Sequence, residues 1–205
     1  MLRTDSDKKL DQFKKYSSIP IINGLSPSSH PTQVLSDIFT IQEIKKKSIS
    51  KLKLCWIGDA NNNMMNSLVE ACIKFSVYLN IACPKSYQPN KKLISLIKKQ
   101  KGKIKIFNKK EIAIKNSDVV MTDKIISLND KVNKKKKLKS FKNFKVDTKT
   151  MNLAKKDAIF LHCLPRGSEV TEEVFLGKQS KVWQQALNRV YVQKSILLYC
   201  FGKLR

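Results

Sequence analysis

An α/β fold, a parallel sheet flanked by helices, is predicted by three features of this sequence. Apolar runs of strand length recur at 52–57, 79–83, 103–107, 118–122 and 158–162. Stretches with helical spacing of apolar residues separate most of them. The runs end in glycine, proline or polar residues, as strands feeding loops do. Alternation of this kind implies parallel strands joined by crossover helices on both faces of one sheet.

The elements follow in order. Asp5-Ser6-Asp7 opens a lysine-rich amphipathic helix to about residue 16, with Leu10 and Phe13 on one face. Residues 19–22 read as a short strand closed by Asn23-Gly24. Ser26-Pro27-Ser28-Ser29 offers capping hydroxyls and a proline, so a helix is expected from 30 to 47, with Val34, Leu35, Ile38, Phe39 and Ile41 as its apolar face. The 52–57 strand ends in Gly58-Asp59, and a helix over 66–78 follows. The 79–83 strand ends at Pro84. A helix over 91–101, the 103–107 strand, a short helix over 110–115 and the 118–122 strand come next. Helices over 136–141 and 148–156 lead to the strand that ends in His162, which Pro165 must terminate because it cannot donate to a ladder. A last helix is expected over 184–201. The turn at 58–63, Gly-Asp-Ala-Asn-Asn-Asn, is not a GxGxxG loop, so no dinucleotide is expected.

The formal net charge is +25, yet only four of the 41 basic residues are arginine (Arg3, Arg166, Arg189, Arg205). Nucleic-acid surfaces use arginine for bidentate contacts and interleave aromatics for stacking. Neither pattern occurs here, so the lysines, including the run at 134–137, read as solvated surface with no nucleic-acid partner. The five cysteines (Cys55, Cys72, Cys83, Cys163, Cys200) have no CxxC spacing, which argues against zinc and disulfides and fits a reducing, cytoplasmic setting. No run of about 18 apolar residues exists, so no membrane span is expected. The polar N-terminus carries no signal peptide.

Open α/β sheets bind ligands outside the carboxyl ends of their strands. His162-Cys163-Leu164-Pro165-Arg166 puts an imidazole and a thiol there, although a buried free cysteine at a strand end is equally common chemistry. Asn61, Asn62 and Asn63, and Asp123 with Ser127, fall at the ends of other strands. Amides, a carboxylate and a thiol along one sheet edge suit a small amino-acid ligand bearing an amine. His30-Pro31-Thr32-Gln33 sits at a helix start, where free N–H groups and the dipole attract anions. His30 and Gln33 could polarise a carbonyl oxygen there; His30 could equally be an ordinary helix-start residue.

The motifs IPIINGLSPSSHPTQ (19–33), WIGDANN (56–62), Thr122-Asp123 with Ser127, His162-Cys163-Leu164-Pro165 and Asn188-Arg189 resemble, in order, those of ornithine carbamoyltransferases. The likeness runs over essentially the whole chain. His-Cys-Leu-Pro separates this family from the aspartate carbamoyltransferases, which share the fold and the His-Pro-x-Gln element. The resemblance implies a Rossmann-like ornithine-binding domain and transfer of a carbamoyl group from carbamoyl phosphate to the side-chain amine of ornithine, giving citrulline and phosphate in arginine biosynthesis. It implies no metal or organic cofactor. Carried over by position, Arg3, His30, Gln33, Cys163, Leu164 and Arg189 correspond to carbamoyl-phosphate contacts. Asn62, Asp123, Ser127 and Leu128 correspond to ornithine contacts. Cys163, His30 and Asp123 are the expected catalytic groups.

Ser127-Leu128-Asn129 stands where the family has Ser-Met-Gly, the Asn61–Asn63 turn has one extra residue, and the loop after Pro165 is two residues shorter than in many relatives. The Ser-Thr-Arg-Thr phosphate loop of the family's first domain does not occur here. The implied organisation is a remnant of the carbamoyl-phosphate domain over 1–25, a linking helix over 26–47, the ornithine domain over 48–183 and a C-terminal helix over 184–205 that returns toward the first domain. Arg3, on such a remnant, is expected to have no sheet to hold it. Family members are homotrimers. This chain is expected to be monomeric or heterogeneously associated, and to have negligible transfer activity alone. The alternatives are a non-catalytic ornithine-binding remnant, or a carbamoyltransferase for another amine such as putrescine.

Overall fold

The computed structural model describes residues 1–126 and 133–203. Strands β1 (Leu2–Arg3) and β2 (Asn23–Leu25) form a small parallel sheet, with α1 (Asp7–Tyr16) between them. Helix α2 (Pro31–Lys45) then leads into the main body. Strands β3 (Lys53–Ile57), β4 (Tyr78–Ala82), β5 (Ile104–Phe107), β6 (Val119–Thr122) and β7 (Ile159–His162) form a five-stranded sheet in the order β5-β4-β3-β6-β7. Every pairing is parallel. Helices α3 (Asn63–Lys74), α4 (Lys91–Lys98), α5 (Lys110–Ala113), α6 (Lys134–Phe141), α7 (Thr148–Met151), α8 (Glu172–Leu176) and α9 (Val182–Cys200) complete the chain.

Side chains alternate along these strands, and both faces are buried. On one face Leu54, Trp56, Leu79, Ile81, Val119, Met121 and Leu161 pack with apolar residues of α2, α3 and α4. On the other, Cys55, Ile57, Ala82, Val120 and Phe160 pack against Ile114, Phe141, Phe175 and Val182. The chain leaves β3 toward β4 and β5 on one side and returns to β6 and β7 on the other. The strand order therefore reverses between β3 and β6, where such sheets open a ligand crevice. Gly58 fits that point: its φ is +151°, and an added Cβ would stand 3.3 Å from Thr122 Oγ1, whose hydroxyl donates to the Ile57 carbonyl at 2.6 Å.

Several expected boundaries moved. The strand expected at 19–22 lies at Asn23–Leu25, because Pro20 has no N–H and β1 pairs one step later, with Leu2 opposite Asn23. Gly24 is thus a strand residue at a close approach: an added Cβ would stand 3.1 Å and 3.3 Å from side-chain atoms of Met1 and Arg3. Arg3 is held in a sheet after all, bracketed by Leu2 N–H to Ile22 O (2.8 Å) and Thr4 N–H to Leu25 O (2.9 Å). Helix α3 starts earlier than expected because the Asn62 side chain caps it, accepting from Met65 N–H at 2.8 Å. Helix α8 was not anticipated, although Thr171 followed by Glu172 and Glu173 is a reasonable helix start. Lys137, within the lysine run expected to be solvated, is buried.

Candidate active site

Three loops at the strand ends and two helices surround one crevice. After β3, the Asp59 carboxylate accepts from Asn61 N–H at 2.9 Å and pairs with Lys137 Nζ at 2.7 Å. The Lys137 ammonium also lies 5.5 Å from the Tyr87 ring centroid. Asn62 donates from Nδ2 to the Asp59 carbonyl at 3.2 Å while its oxygen caps α3. Both polar atoms of its side chain are thus taken up within the turn and the helix cap. After β6, Asp123 accepts from Lys124 N–H at 2.7 Å. Ser127 and Leu128 lie outside the described residues.

The loop after β7 is built on His162. Its ring is buried and is not a crevice group, contrary to the expectation from sequence. Its Nδ1 accepts from Leu164 N–H at 2.8 Å, so the ring proton sits on Nε2, 2.9 Å from Glu169 Oε1. Glu169 also accepts from the backbone N–H groups of Gly167 and, at 3.4 Å, Ile125. One buried carboxylate thereby joins the β6 and β7 loops. Burial pushes it upward, but the bonds from His162 and Gly167 outweigh that and hold it below the usual carboxylate range. Leu164 adopts φ +52° and precedes a cis proline. Cys163 is half-buried beside it.

Helices α2 and α9 close the other side. His30 stands at the N-terminus of α2, its backbone N–H donating to Ser67 Oγ at 2.8 Å. Within α2, Gln33 Nε2 donates to Asp37 Oδ1 at 2.8 Å. From α9, Gln185 Nε2 donates to the same oxygen at 2.7 Å, and Gln185 Oε1 accepts from His162 N–H at 2.9 Å. Asn188 bonds Thr40 and Glu43 of α2 at 3.0 and 2.8 Å. His30 Nδ1, Gln33 Oε1, Asp37 Oδ2 and Arg189 Nε are buried without a hydrogen-bond partner among the described residues. Buried polar atoms are normally paired, so such a group in one crevice marks a place for a polar ligand.

The charges divide into two poles. Burial, then the positive charges of Arg189 and Arg3, depress His30 to about 4, so its imidazole is neutral at pH 7. Burial raises Asp123, and the nearby Glu169 and Asp59 carboxylates add to the rise, against the Lys124 N–H and His162. Cys163 lies between the poles. Burial first, then Asp123 and Asp37, push its thiol well above 9, with Arg189 opposing. At neutral pH it is a thiol rather than a thiolate nucleophile. Cys55 and Cys83 are pushed up to about 12 by burial and lie in the core.

One expected role changes. Gln33, expected from sequence to polarise a carbonyl oxygen, donates one of its N–H groups to Asp37, and its unpartnered atom among the described residues is the acceptor Oε1. The structure brings together Arg3, His30, Gln33, Asp123, Cys163 and Arg189, while Asn62 is bonded within its own turn. Asp37, Gln185, Glu169 and Lys137 were not anticipated from sequence as parts of it. Asp37 and Gln185 were the most findable, lying one helical turn from Gln33 and Arg189 respectively.

Comparison with known proteins bears on this crevice. Residues 50–200 match the family model for the aspartate/ornithine carbamoyltransferase Asp/Orn binding domain, and residues 1–43 match that for the carbamoyl-P binding domain. An ornithine carbamoyltransferase of Caldicellulosiruptor saccharolyticus is 43% identical over 212 residues, covering 100% of this chain and 68% of the relative. One from Staphylothermus marinus is 40% identical, covering 96% and 65%. The crystal structure of the anabolic ornithine carbamoyltransferase from Campylobacter jejuni superposes with a TM-score of 0.90 at 39% identity, covering 98% of this chain and 68% of that one. The Pyrococcus furiosus enzyme gives 0.88 at 35%, covering 99% and 66%. The chain thus spans about two thirds of the length of the proteins it matches.

Proposed function

The chain belongs to the aspartate/ornithine carbamoyltransferase family, and on that footing we propose that its crevice is the ornithine side, and part of the carbamoyl-phosphate side, of an ornithine carbamoyltransferase site. The observation that carries this reading is the two-pole crevice with Cys163 between the poles. Arg3 and Arg189, beside a neutral His30, suit a phosphate dianion with its carbonyl. Asp123, with Glu169 and Asp59 behind it, suits an ammonium.

In the reaction, the neutral side-chain amine of ornithine attacks the carbamoyl carbon, the C–O bond to phosphate breaks, and the amine loses a proton. His30 keeps one ring N–H at neutral pH and donates it to the carbonyl oxygen as negative charge develops there. Arginine neutralises the departing phosphate. Asp123, held above the ordinary carboxylate range by burial, binds the amine end of ornithine and is poised to take up a proton. Cys163 and the turn at Leu164 line the space between. Residues 48–183 supply the ornithine domain in this reading. Residues 1–25 supply a remnant of the carbamoyl-phosphate domain, 26–47 the linking helix, and 184–205 the C-terminal helix that returns toward the first domain. No helix among the described residues is long and apolar enough to cross a membrane.

Titration calorimetry of the chain with L-ornithine, and with putrescine as the amine lacking a carboxylate, tests the reading. Ornithine is expected to bind with at least about tenfold preference, and Asp123→Asn to weaken it by a similar factor. Equal binding of both amines, or none of either, counts against an ornithine site.

A further inference from the structure

Asp37 is a fully buried carboxylate on α2 that no step above uses. One of its oxygens collects two amide donors from different elements, Gln33 Nε2 at 2.8 Å and Gln185 Nε2 at 2.7 Å. The other has no hydrogen-bond partner among the described residues. Through Gln185 Oε1 the arrangement continues to His162 N–H at 2.9 Å, at the last residue of β7. A single carboxylate oxygen therefore ties α2, α9 and the end of the strand that leads into Cys163.

An ionised carboxylate only accepts. Both glutamines must then turn their NH2 groups toward it, and neither amide can flip without setting oxygen against oxygen. The consequence for Gln33 is a buried oxygen with no partner among the described residues, the state that His30 Nδ1 and Arg189 Nε share. The consequence for Gln185 is an oxygen aimed at the β7 backbone.

We infer that Asp37 is a positioning and specificity-determining residue, which locks Gln33 as a hydrogen-bond acceptor and so selects a transferable group that carries an N–H. This rests on the reading that the crevice takes carbamoyl phosphate. A carbamoyl group presents a carbonyl oxygen to His30 and an NH2 to Gln33 Oε1. An acetyl group of the same shape presents a methyl, which leaves that oxygen buried and unpaired. Loss of one partner from a buried polar pair is the strongest discrimination a site of this kind can offer between isosteres. The same lock holds the end of β7, so the acceptor and the Cys163 loop are set in one geometry.

The test uses two stable isosteric probes, phosphonoacetamide and acetonylphosphonate, with the intact chain and calorimetric detection. The wild-type chain is expected to prefer the amide at least about tenfold, the worth of one hydrogen bond. Asp37→Asn can face the glutamines with either oxygen or NH2, which frees Gln33 to turn, so the preference is expected to fall to within about threefold. Gln33→Met removes the acceptor together with its N–H to Asp37 while leaving the Gln185 bond to Asp37 in place, and is expected to lose the preference as well. An undiminished preference in Asp37→Asn, or in Gln33→Met should the first variant not fold, overturns the inference. If the wild-type chain binds neither probe, the carbamoyl-phosphate reading fails for this chain, and NMR decides the lock separately. The groups acting on Asp37 are Gln33, Gln185, Arg189 and Asp123. The side-chain NH2 signals of Gln33 and Gln185 and the His162 N–H are expected to follow one common titration that Asp37→Asn abolishes. Independent behaviour of the three, or persistence of the titration in the variant, contradicts the lock.

Discussion

Lys137 Nζ lies 2.7 Å from Asp59 Oδ2, and both side chains are buried, 5% and 8% exposed. The pair joins α6 to the turn after β3, at the carboxyl edge of the sheet. Removing one member of a buried pair strands the other charge. Lys137→Met is expected to destabilise the chain by about 3–5 kcal/mol. The double variant with Asp59→Leu is expected to recover much of that loss. Chemical denaturation of the four proteins measures both. A Lys137→Met chain as stable as its parent would show that the pair contributes nothing.

Asp37 makes stability depend on pH. Burial raises it from 3.8 to about 6. The folded state therefore binds its proton more tightly than the unfolded state does. The stabilisation this gives is complete below 3.8 and is lost as pH rises through about 6. Asn lacks the titration. The stability of Asp37→Asn relative to the parent is expected to improve by up to about 3 kcal/mol between pH 4 and pH 7. Thermal melts at matched pH values read this difference, and one that does not vary with pH excludes a raised Asp37.

His30 behaves in the opposite sense. Its folded value is depressed from 6.5 to about 4. Its contribution is present above 6.5 and is lost as pH falls through about 4. The His30 ring signals in an NMR titration are expected to stay in the neutral position down to pH 5. A midpoint near 6.5 would place the ring in water, away from the two arginines.

Thiol chemistry separates the cysteines. Burial suppresses the thiolate at Cys55, Cys72 and Cys83, and burial with the Asp123 and Asp37 charges does so at Cys163; Cys200 is half-buried near the end of α9. Iodoacetamide at pH 8 is expected to label Cys200 first, read by peptide mass spectrometry. Cys163→Ala is expected to weaken ornithine binding and Cys200→Ala to leave it unchanged. The reverse pattern would remove Cys163 from the site.

The sheet and its ligand-bearing edge were legible in the sequence because β3, β6 and β7 are short apolar runs that end in Gly58-Asp59, Asp123 and Cys163. Two-sided burial makes such runs stand out, and polar residues mark where they stop. The supporting groups were not legible. Gln33 reads as a donor or an acceptor until Asp37 and Gln185, the latter 148 residues away from Asp37, settle its orientation. Lys137 sits among four lysines, and nothing local distinguishes the one that folds inward onto Asp59. His162 is an apparent site imidazole until Glu169 and the Leu164 N–H take both ring nitrogens. In each case the role is set by a tertiary partner.

The outer faces of α2 and α9 expose Leu35, Phe39, Tyr191 and Tyr199, with Tyr199 70% exposed. Apolar surface of this extent calls for cover. The chain alone is expected to run as a monomer with a heterogeneous associated fraction in light scattering. A single sharp trimer mass would show that it carries a complete oligomer interface.

The most direct test of the ornithine carbamoyltransferase reading is a citrulline assay at saturating carbamoyl phosphate. Two proteins are compared: the chain alone, and the chain with a family carbamoyl-phosphate domain joined ahead of Met1. The account predicts negligible citrulline from the first, robust formation from the second, and loss of that formation on Asp123→Asn or His30→Ala. A joined protein that folds and binds carbamoyl phosphate yet makes no citrulline would contradict it.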